Sequence, residues 1–282
     1  MPIQTVAVIG AGTMGSGIAQ VAASSGLNVK LFDTTNEALS KATQRIKDSL
    51  ERLAKKNAIP ANDAVEIPKR IATSVDYNAA SDCDAVIEAV FEDENVKRLT
   101  WQKLDAICRA DAILGTNTSS ISITQLAQSV KNPQRFIGMH FFNPVPVMKL
   151  VEVIRGNRTD DATCAAVVEL SRKMGKTPIE ANDYPGFVSN RVLAPLINEA
   201  IFAVYEGVAK PEAIDEIFKL GMAHPMGPLT LADFIGLDVC LNIMEVLQKG
   251  FGDPKYRPCP LLRQMVAAGK LGRKSGQGFY KY

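Results

Sequence analysis

The first 33 residues of this 282-residue chain constrain its fold more than any other stretch. Thr5-Val6-Ala7-Val8-Ile9 is a β-branched apolar run that stops at Gly10, the pattern of a strand buried on both faces. Met14 to Ser25 follows as a helix rich in small residues (Gly17, Ala19, Ala22, Ala23), and Gly26 ends it. Asn28 to Asp33 reads as a second strand. Strand, helix and strand within about 30 residues form the unit of a parallel sheet. At the first junction, Gly10-Ala11-Gly12-Thr13-Met14-Gly15 matches G-x-G-x-x-G. The first glycine permits a tight turn, the second lets a pyrophosphate approach the backbone, and the third lets helix and strand pack closely. Phosphate charge then meets free N–H groups at the positive end of a helix. Asp33, at the end of the second strand, is placed to accept from adenosine ribose hydroxyls and to repel a 2′-phosphate. Gly10, Gly12, Thr13, Met14, Gly15 and Asp33 therefore predict a dinucleotide site that prefers NAD to NADP.

The alternation continues down the chain. Asn36 to Asn57 is a long charged helix that buries Ile46, Leu50 and Leu53. Ala85 to Val90, Ile113 to Thr116, Arg135 to Phe142, Leu150 to Ile154 and Thr177 to Ala181 read as strands. Glu94 to Arg109 and Ala162 to Met174 read as helices. After Asp183 the pattern changes. Val188, Val192, Leu196, Ala200 and Val204 recur four apart in a helical stripe over Gly186 to Tyr205. Pro211 to Leu220, Leu231 to Lys249 and Leu261 to Ala268 also read as helices, and strand signal returns only at Gly278 to Tyr280. The expected fold is α/β: a Rossmann-like doubly wound sheet domain over 1–183, then an all-helical C-terminal domain over 184–282. Pro185-Gly186, at the junction, reads as a hinge.

Composition narrows the function classes. Apolar residues at 46% and charged residues at 22% exclude a disordered chain. A net charge of +2 argues against nucleic acid or a membrane surface as partner. No apolar run approaches the roughly 18 residues of a membrane span. The start Met1-Pro2-Ile3-Gln4-Thr5 lacks the basic residues of a secretory signal. The cysteines (83, 108, 164, 240 and 259) are odd in number and nowhere spaced C-x-x-C. That argues against a disulfide frame or a metal site and for a reducing, cytoplasmic setting.

Two histidines exist. His224 lies in a turn-rich loop and reads as structural. His140 ends an apolar strand, where a lone histidine is by default a satisfied core residue. Two features favour chemistry instead. Ligands of α/β sheets bind at the C-terminal ends of strands. The next strand, Leu150 to Ile154, carries Glu152 among apolar neighbours, where a carboxylate needs a partner. A His140–Glu152 pair on adjacent strands would fix one tautomer and support general-base work on an alcohol.

Several motifs together mark a family. They are the glycine loop, Glu88-Ala89-Val90-Phe91-Glu92-Asp93, Thr116-Asn117-Thr118-Ser119-Ser120, His140-Phe141-Phe142-Asn143-Pro144-Val145-Pro146, Asp183-Tyr184-Pro185-Gly186-Phe187-Val188-Ser189-Asn190-Arg191, and Gly272-Arg273-Lys274-Ser275-Gly276-Gln277-Gly278-Phe279-Tyr280. Over its whole length the chain resembles the short-chain L-3-hydroxyacyl-CoA dehydrogenases. The resemblance implies interconversion of a 3-hydroxyacyl-CoA and a 3-ketoacyl-CoA with NAD, the four-carbon pair being expected. It implies His140 as base, Glu152 as its partner, and Ser119 and Asn190 at the reacting oxygen and thioester. It places Glu92, Lys97, Ser119, Asn143 and Lys274 around the NAD ribose and nicotinamide, and Ser49 and Lys56 on coenzyme A. The Pro185-Gly186 hinge predicts a substrate cleft between the domains, and the resemblance implies a homodimer formed through the C-terminal domain.

The residues alone leave alternatives open. Ser119 reads equally as a helix cap before Ile121, Asn190 as a local hydrogen-bonding group, and Arg52, Lys55 and Lys56 as a solvated helix face. A dehydrogenase of free hydroxyacids would use a lysine as its acid/base group, which the His140/Glu152 and Ser49/Lys56 matches argue against. A recruited NAD-binding or structural protein, such as a lens crystallin, is disfavoured by the complete His, Glu, Ser and Asn set.

Overall fold

Each branched apolar run of the N-terminal half becomes a strand, and each is buried because helices cover both faces of the sheet. The computed structural model describes residues 3–282. In chain order the elements are β1 (Thr5–Ile9), α1 (Thr13–Ser24), β2 (Asn28–Phe32), α2 (Asn36–Lys55), α3 (Asp63–Glu66), β3 (Ile71–Ser74), β4 (Ala85–Glu88) and α4 (Glu94–Asp105). Then come β5 (Ile113–Thr116), α5 (Ile123–Leu126), β6 (Phe136–Phe141), β7 (Leu150–Arg155), α6 (Asp161–Lys173) and β8 (Thr177–Asn182). One eight-stranded sheet has the order β3-β2-β1-β4-β5-β6-β7-β8. Strands β1 to β6 run parallel, and β7 turns antiparallel to β6 while pairing parallel with β8. The reversal follows from chain length. Residues 142–149 are too few for the crossover that a parallel neighbour requires.

The chain divides into two compact units after Asp183, and the unit from Tyr184 to Tyr282 is helical. It holds α7 (Ser189–Tyr205), α8 (Pro211–Gly221), α9 (Pro228–Ile235), α10 (Leu237–Phe251) and α11 (Pro260–Ala267). Its core gathers Ile197, Ile201, Leu229, Leu237 and Leu262.

Three sequence expectations change. Strand β3 went unseen because Ile71-Ala72-Thr73-Ser74 is a short edge strand with only partial burial. The expected single helix over Leu231 to Lys249 is two helices. Gly236, at φ +105°, breaks it, and its N–H still closes on Ala232. The strand signal at Gly278 to Tyr280 becomes a turn with isolated bridges, because the N–H groups of Phe279 and Tyr280 donate to Asp233 instead of to a ladder.

Two buried aspartates organise this unit. Asp215 accepts from the N–H groups of Leu229 and Thr230 and from the Thr230 and Tyr280 hydroxyls. Asp233 accepts from the Phe279 and Tyr280 N–H groups and the Tyr282 hydroxyl. Burial, reinforced by these carboxylates, raises both phenols, and Tyr282 reaches about 12. A raised folded value stabilises fully below the ordinary phenol value of 10.0, where folded and unfolded chains both keep the proton. Above it the unfolded chain deprotonates first, so stability falls as pH rises toward 12. Urea titrations between pH 8 and 11.5 should show that alkaline loss, to which the buried cysteine thiols, also raised by burial, add, and Tyr280→Phe combined with Tyr282→Phe should reduce its slope. An unchanged slope in the double variant would contradict the assignment.

Candidate active site

The glycine loop is built as a cradle. A Cβ at Gly10, where φ is +102°, would meet the Ala89 carbonyl oxygen at 2.5 Å, and one at Gly15 would lie 1.7 Å from the Gly10 oxygen. At Gly12 nothing lies within 4 Å. The outer glycines therefore permit the turn and the helix crossing, and the middle one leaves backbone open beside Thr13 and Met14, the first residues of α1. Asp33 Oδ2 accepts from the Ala11 N–H at 2.7 Å, and Oδ1 accepts from the Thr34 N–H at 2.7 Å. Arg45 Nη2, from α2, donates to the Ala11 carbonyl at 2.5 Å, so Ala11 is held at both ends. An open Gly12 backbone at a helix N-terminus, with a half-buried carboxylate at the next strand end, fits a dinucleotide. A carboxylate oxygen has further lone pairs, so Asp33 can still accept from ribose hydroxyls.

His140 and Glu152 stand directly opposite each other in the antiparallel β6–β7 ladder, so both side chains share one face. His140 Nδ1 and Glu152 Oε2 are 2.7 Å apart, and both residues are buried. The Phe142 ring lies 4.5 Å from the imidazole between centroids. A carboxylate on Nδ1 selects the tautomer with Nδ1–H and makes Nε2 the basic nitrogen.

Beside this pair the sheet edge carries a buried ionic network. Glu88, at the end of β4, is fully buried, and its Oε1 accepts from Lys97 Nζ at 2.7 Å and from the Val90 N–H at 2.8 Å. Its Oε2 accepts from the Thr116 hydroxyl at 2.6 Å. Lys97, from α4, is 0% exposed and also donates to the Asn117 carbonyl, with Glu92 Oε2 at 3.4 Å. Glu92 Oε1 accepts from the Thr118 hydroxyl at 2.5 Å and the Ser119 N–H at 2.8 Å. Lys97 is thus tied into the wall, and the exposed Glu92 carboxylate faces outward from it. The cap of α5 is Ser122, whose hydroxyl accepts from the Gln125 N–H.

The other predicted residues fall in distinct places. Ser49 and Asn143 line one cavity of about 310 Å³ together with Thr13, Arg45, Arg52 and Pro146. Lys56 is the C-cap residue of α2 and is not among the residues lining that cavity. In the helical unit, Asn190 is the second residue of α7, and the exposed Lys274 pairs with Asp238. His224 packs edge-on against Phe218. A cavity of about 320 Å³ near Asp84, Arg109 and Asp160 sits at the N-terminal ends of the strands, away from this chemistry. Sequence reasoning assigned no role to Arg45, Glu88, Asn117 or Lys176. Glu88 and Asn117 sit inside motifs it quoted, and a charge ending an apolar strand was the available signal for Glu88.

A doubly wound sheet with a G-x-G-x-x-G cradle and a His–Glu pair at its C-terminal edge defines a dinucleotide-dependent dehydrogenase. Residues 5–184 match the family model of the 3-hydroxyacyl-CoA dehydrogenase NAD binding domain, and residues 186–282 match the C-terminal domain of the same enzymes. The chain is 57% identical over its full length to a probable 3-hydroxybutyryl-CoA dehydrogenase of Bacillus subtilis, covering 98% of it. It is 51% identical to the 3-hydroxybutyryl-CoA dehydrogenase of Bradyrhizobium diazoefficiens over 99% of this chain and 96% of that one. The crystal structure of (S)-3-hydroxybutyryl-CoA dehydrogenase from Ralstonia eutropha superposes with a TM-score of 0.97 at 52% identity, covering 99% of each chain. The chain belongs to the 3-hydroxyacyl-CoA dehydrogenase family and is an NAD-dependent oxidoreductase of that class.

Removing Lys97 should expose how much the wall depends on it. Lys97→Met leaves Glu88 buried without its cation, which costs about 3–5 kcal/mol in such pairs. Urea unfolding should show a loss of that size, and a change under about 1 kcal/mol would contradict the network's importance.

Proposed function

We propose that this enzyme interconverts (S)-3-hydroxybutyryl-CoA and acetoacetyl-CoA, with His140 as general base oriented by Glu152. The observation that carries the assignment is the 2.7 Å His140–Glu152 contact at the C-terminal edge of the sheet. His140 Nε2 takes the hydroxyl proton, and Glu152 stabilises the imidazolium that results. NAD, held by the glycine loop and Asp33, would supply the acceptor for the hydride that leaves the carbinol carbon. The Ser119 hydroxyl donates to the reacting oxygen, where negative charge grows, and the Asn190 amide donates to the thioester carbonyl. Both roles follow from the family resemblance.

Gly10, Gly12, Thr13, Met14 and Gly15 hold the cofactor pyrophosphate, and Asp33 holds the adenosine ribose. Glu92, Ser119, Asn143 and Lys274 serve the ribose and nicotinamide end. Lys97 acts there through Glu92, its 3.4 Å neighbour. Ser49 and Lys56 bind coenzyme A. The cavity that joins Ser49 with Arg45 and Arg52 supports an anionic ligand on this helix. The four-carbon preference draws its support from the names of the relatives.

Homodimerisation through residues 184–282 belongs to the same reading. An apolar groove of about 370 Å³ lined by Leu196, Ala203, Ile217 and Phe218, beside the 73%-exposed Val208, supports a second copy as its occupant. A cytoplasmic location accords with five free cysteines and with no described helix long and apolar enough to cross a membrane.

His140→Ala should lower turnover of acetoacetyl-CoA with NADH by about 10²–10⁴ while NADH binding stays within a few-fold. Near wild-type turnover removes the base assignment. Free acetoacetate should be a far poorer substrate than its thioester, and preference for the free acid ends the substrate claim. Asp33→Ala should narrow the NADH-to-NADPH ratio of kcat/KM, and an unchanged ratio would show that the carboxylate does not discriminate.

A further inference from the structure

The β5–β6 ladder ends at Thr116↔Gly138, yet β6 runs on through His140 to Phe141. Beyond Thr116 the chain leaves the sheet toward Thr118 and Ser119, which Glu92 holds. The strand that carries His140 therefore loses its backbone neighbour on that side just before the functional residue. A side chain replaces it. Asn117 Oδ1 accepts from the Phe141 N–H at 3.0 Å, in a buried bond between residues 24 apart. The Asn117 backbone is itself clamped, its N–H donating to the Glu88 carbonyl at 2.7 Å and its carbonyl accepting from Lys97 at 2.9 Å. One residue thus joins β4, α4 and β6 where β5 diverges.

We propose that Asn117 is a positioning residue for the dehydrogenase reaction, a role that rests on His140 being the base. Its amide acts as an extra rung that fixes the end of β6. That sets His140 against the Ser119 segment, two residues along from Asn117. The backbone of β5 could not do both jobs, because supplying the rung would keep Ser119 in the strand. An amide side chain lets the chain turn away while the hydrogen bond stays.

The test uses full-length Asn117→Ala and Asn117→Asp, assayed with acetoacetyl-CoA and NADH, alongside His140→Ala. Asn117→Ala should lower kcat roughly 100-fold, the scale of a misplacement of about 1 Å, with the NADH Kd within about threefold of wild type. Asn117→Asp keeps an acceptor for the Phe141 N–H and should recover most of kcat. A packing role alone would lower thermal stability in both variants and leave kcat of the folded enzyme near wild type. Should the alanine variant fail to accumulate, Asn117→Leu, of similar shape and without an acceptor, is read in its stead. Asn117→Ala turnover within threefold of wild type overturns the proposal, as does equal loss of kcat in both variants. Full activity in His140→Ala removes the base assignment itself, whereas loss there with an intact Asn117→Ala removes only the positioning role.

Discussion

The register of β7 against β6 decides whether this sheet has an active site. Strand side chains alternate between faces, so a one-residue slip would send Glu152 to the opposite face from His140. Hydrophobic pattern holds the register. Met139 and Phe141 on β6, and Val151 and Val153 on β7, are buried on the alternate positions, and a slip would exchange them for the polar pair. A bulky residue at Gly138 would also strain this pairing, since even a Cβ there meets Ile154 at 2.7 Å and Ile123 at 2.8 Å. The catalytic geometry proposed here is therefore enforced by residues with no chemistry of their own.

Buried charge is concentrated at the C-terminal edge of the strands, where it is most expensive to place and most useful. Glu88, Lys97 and Glu152 are each nearly inaccessible, and each is matched by specific donors or acceptors. A buried ion pair seldom adds net stability over apolar packing, but it tolerates few alternative arrangements. Lys97 illustrates the consequence. One ammonium touches β4 through Glu88, the β5 extension through Asn117 and the outer carboxylate Glu92. Three chain segments that diverge from the sheet are held in one arrangement by a group that water cannot reach. Lys176 works similarly behind the loop after β6. Burial lowers its pKa, and its ammonium donates to the carbonyls of Val145 and Met148.

Much of this was legible in the sequence, for identifiable reasons. Strands buried on both faces leave unbroken apolar runs, and the glycine loop must be glycine because a Cβ at Gly10 or Gly15 would strike backbone. His140 and Glu152 stood out as polar residues in apolar strands. What stayed hidden depends on contacts distant in sequence. Strand β3 has too few buried residues to announce itself, and its place is set by pairing with β2. Asn117 and Glu88 lay inside the quoted motifs with no role assigned, and their partners lie 24 and 9 positions away. Arg45 carried no signal in the sequence, and only the fold brings it to the Ala11 carbonyl.

The C-terminal motif carries the same lesson in the helical unit. Gly272 to Tyr280 marks the family in sequence, yet two of its three glycines, Gly272 and Gly278, are dictated by one aspartate. A Cβ at Gly278 would lie 1.9 Å from Asp233 Oδ1, and one at Gly272 would lie 2.3 Å from the Asp233 carbonyl oxygen. The tail closes on Asp233 through two N–H groups and a phenol, and Tyr280 reaches on to Asp215, which caps the start of α9. Lys274 sits within this closed turn, and Asp238 at the start of α10 holds its ammonium. The tail thus needs glycine for close approach, tyrosine for reach and aspartate for closure before the lysine can be presented at all. That stepwise requirement explains why so exposed a segment reads as a tight signature.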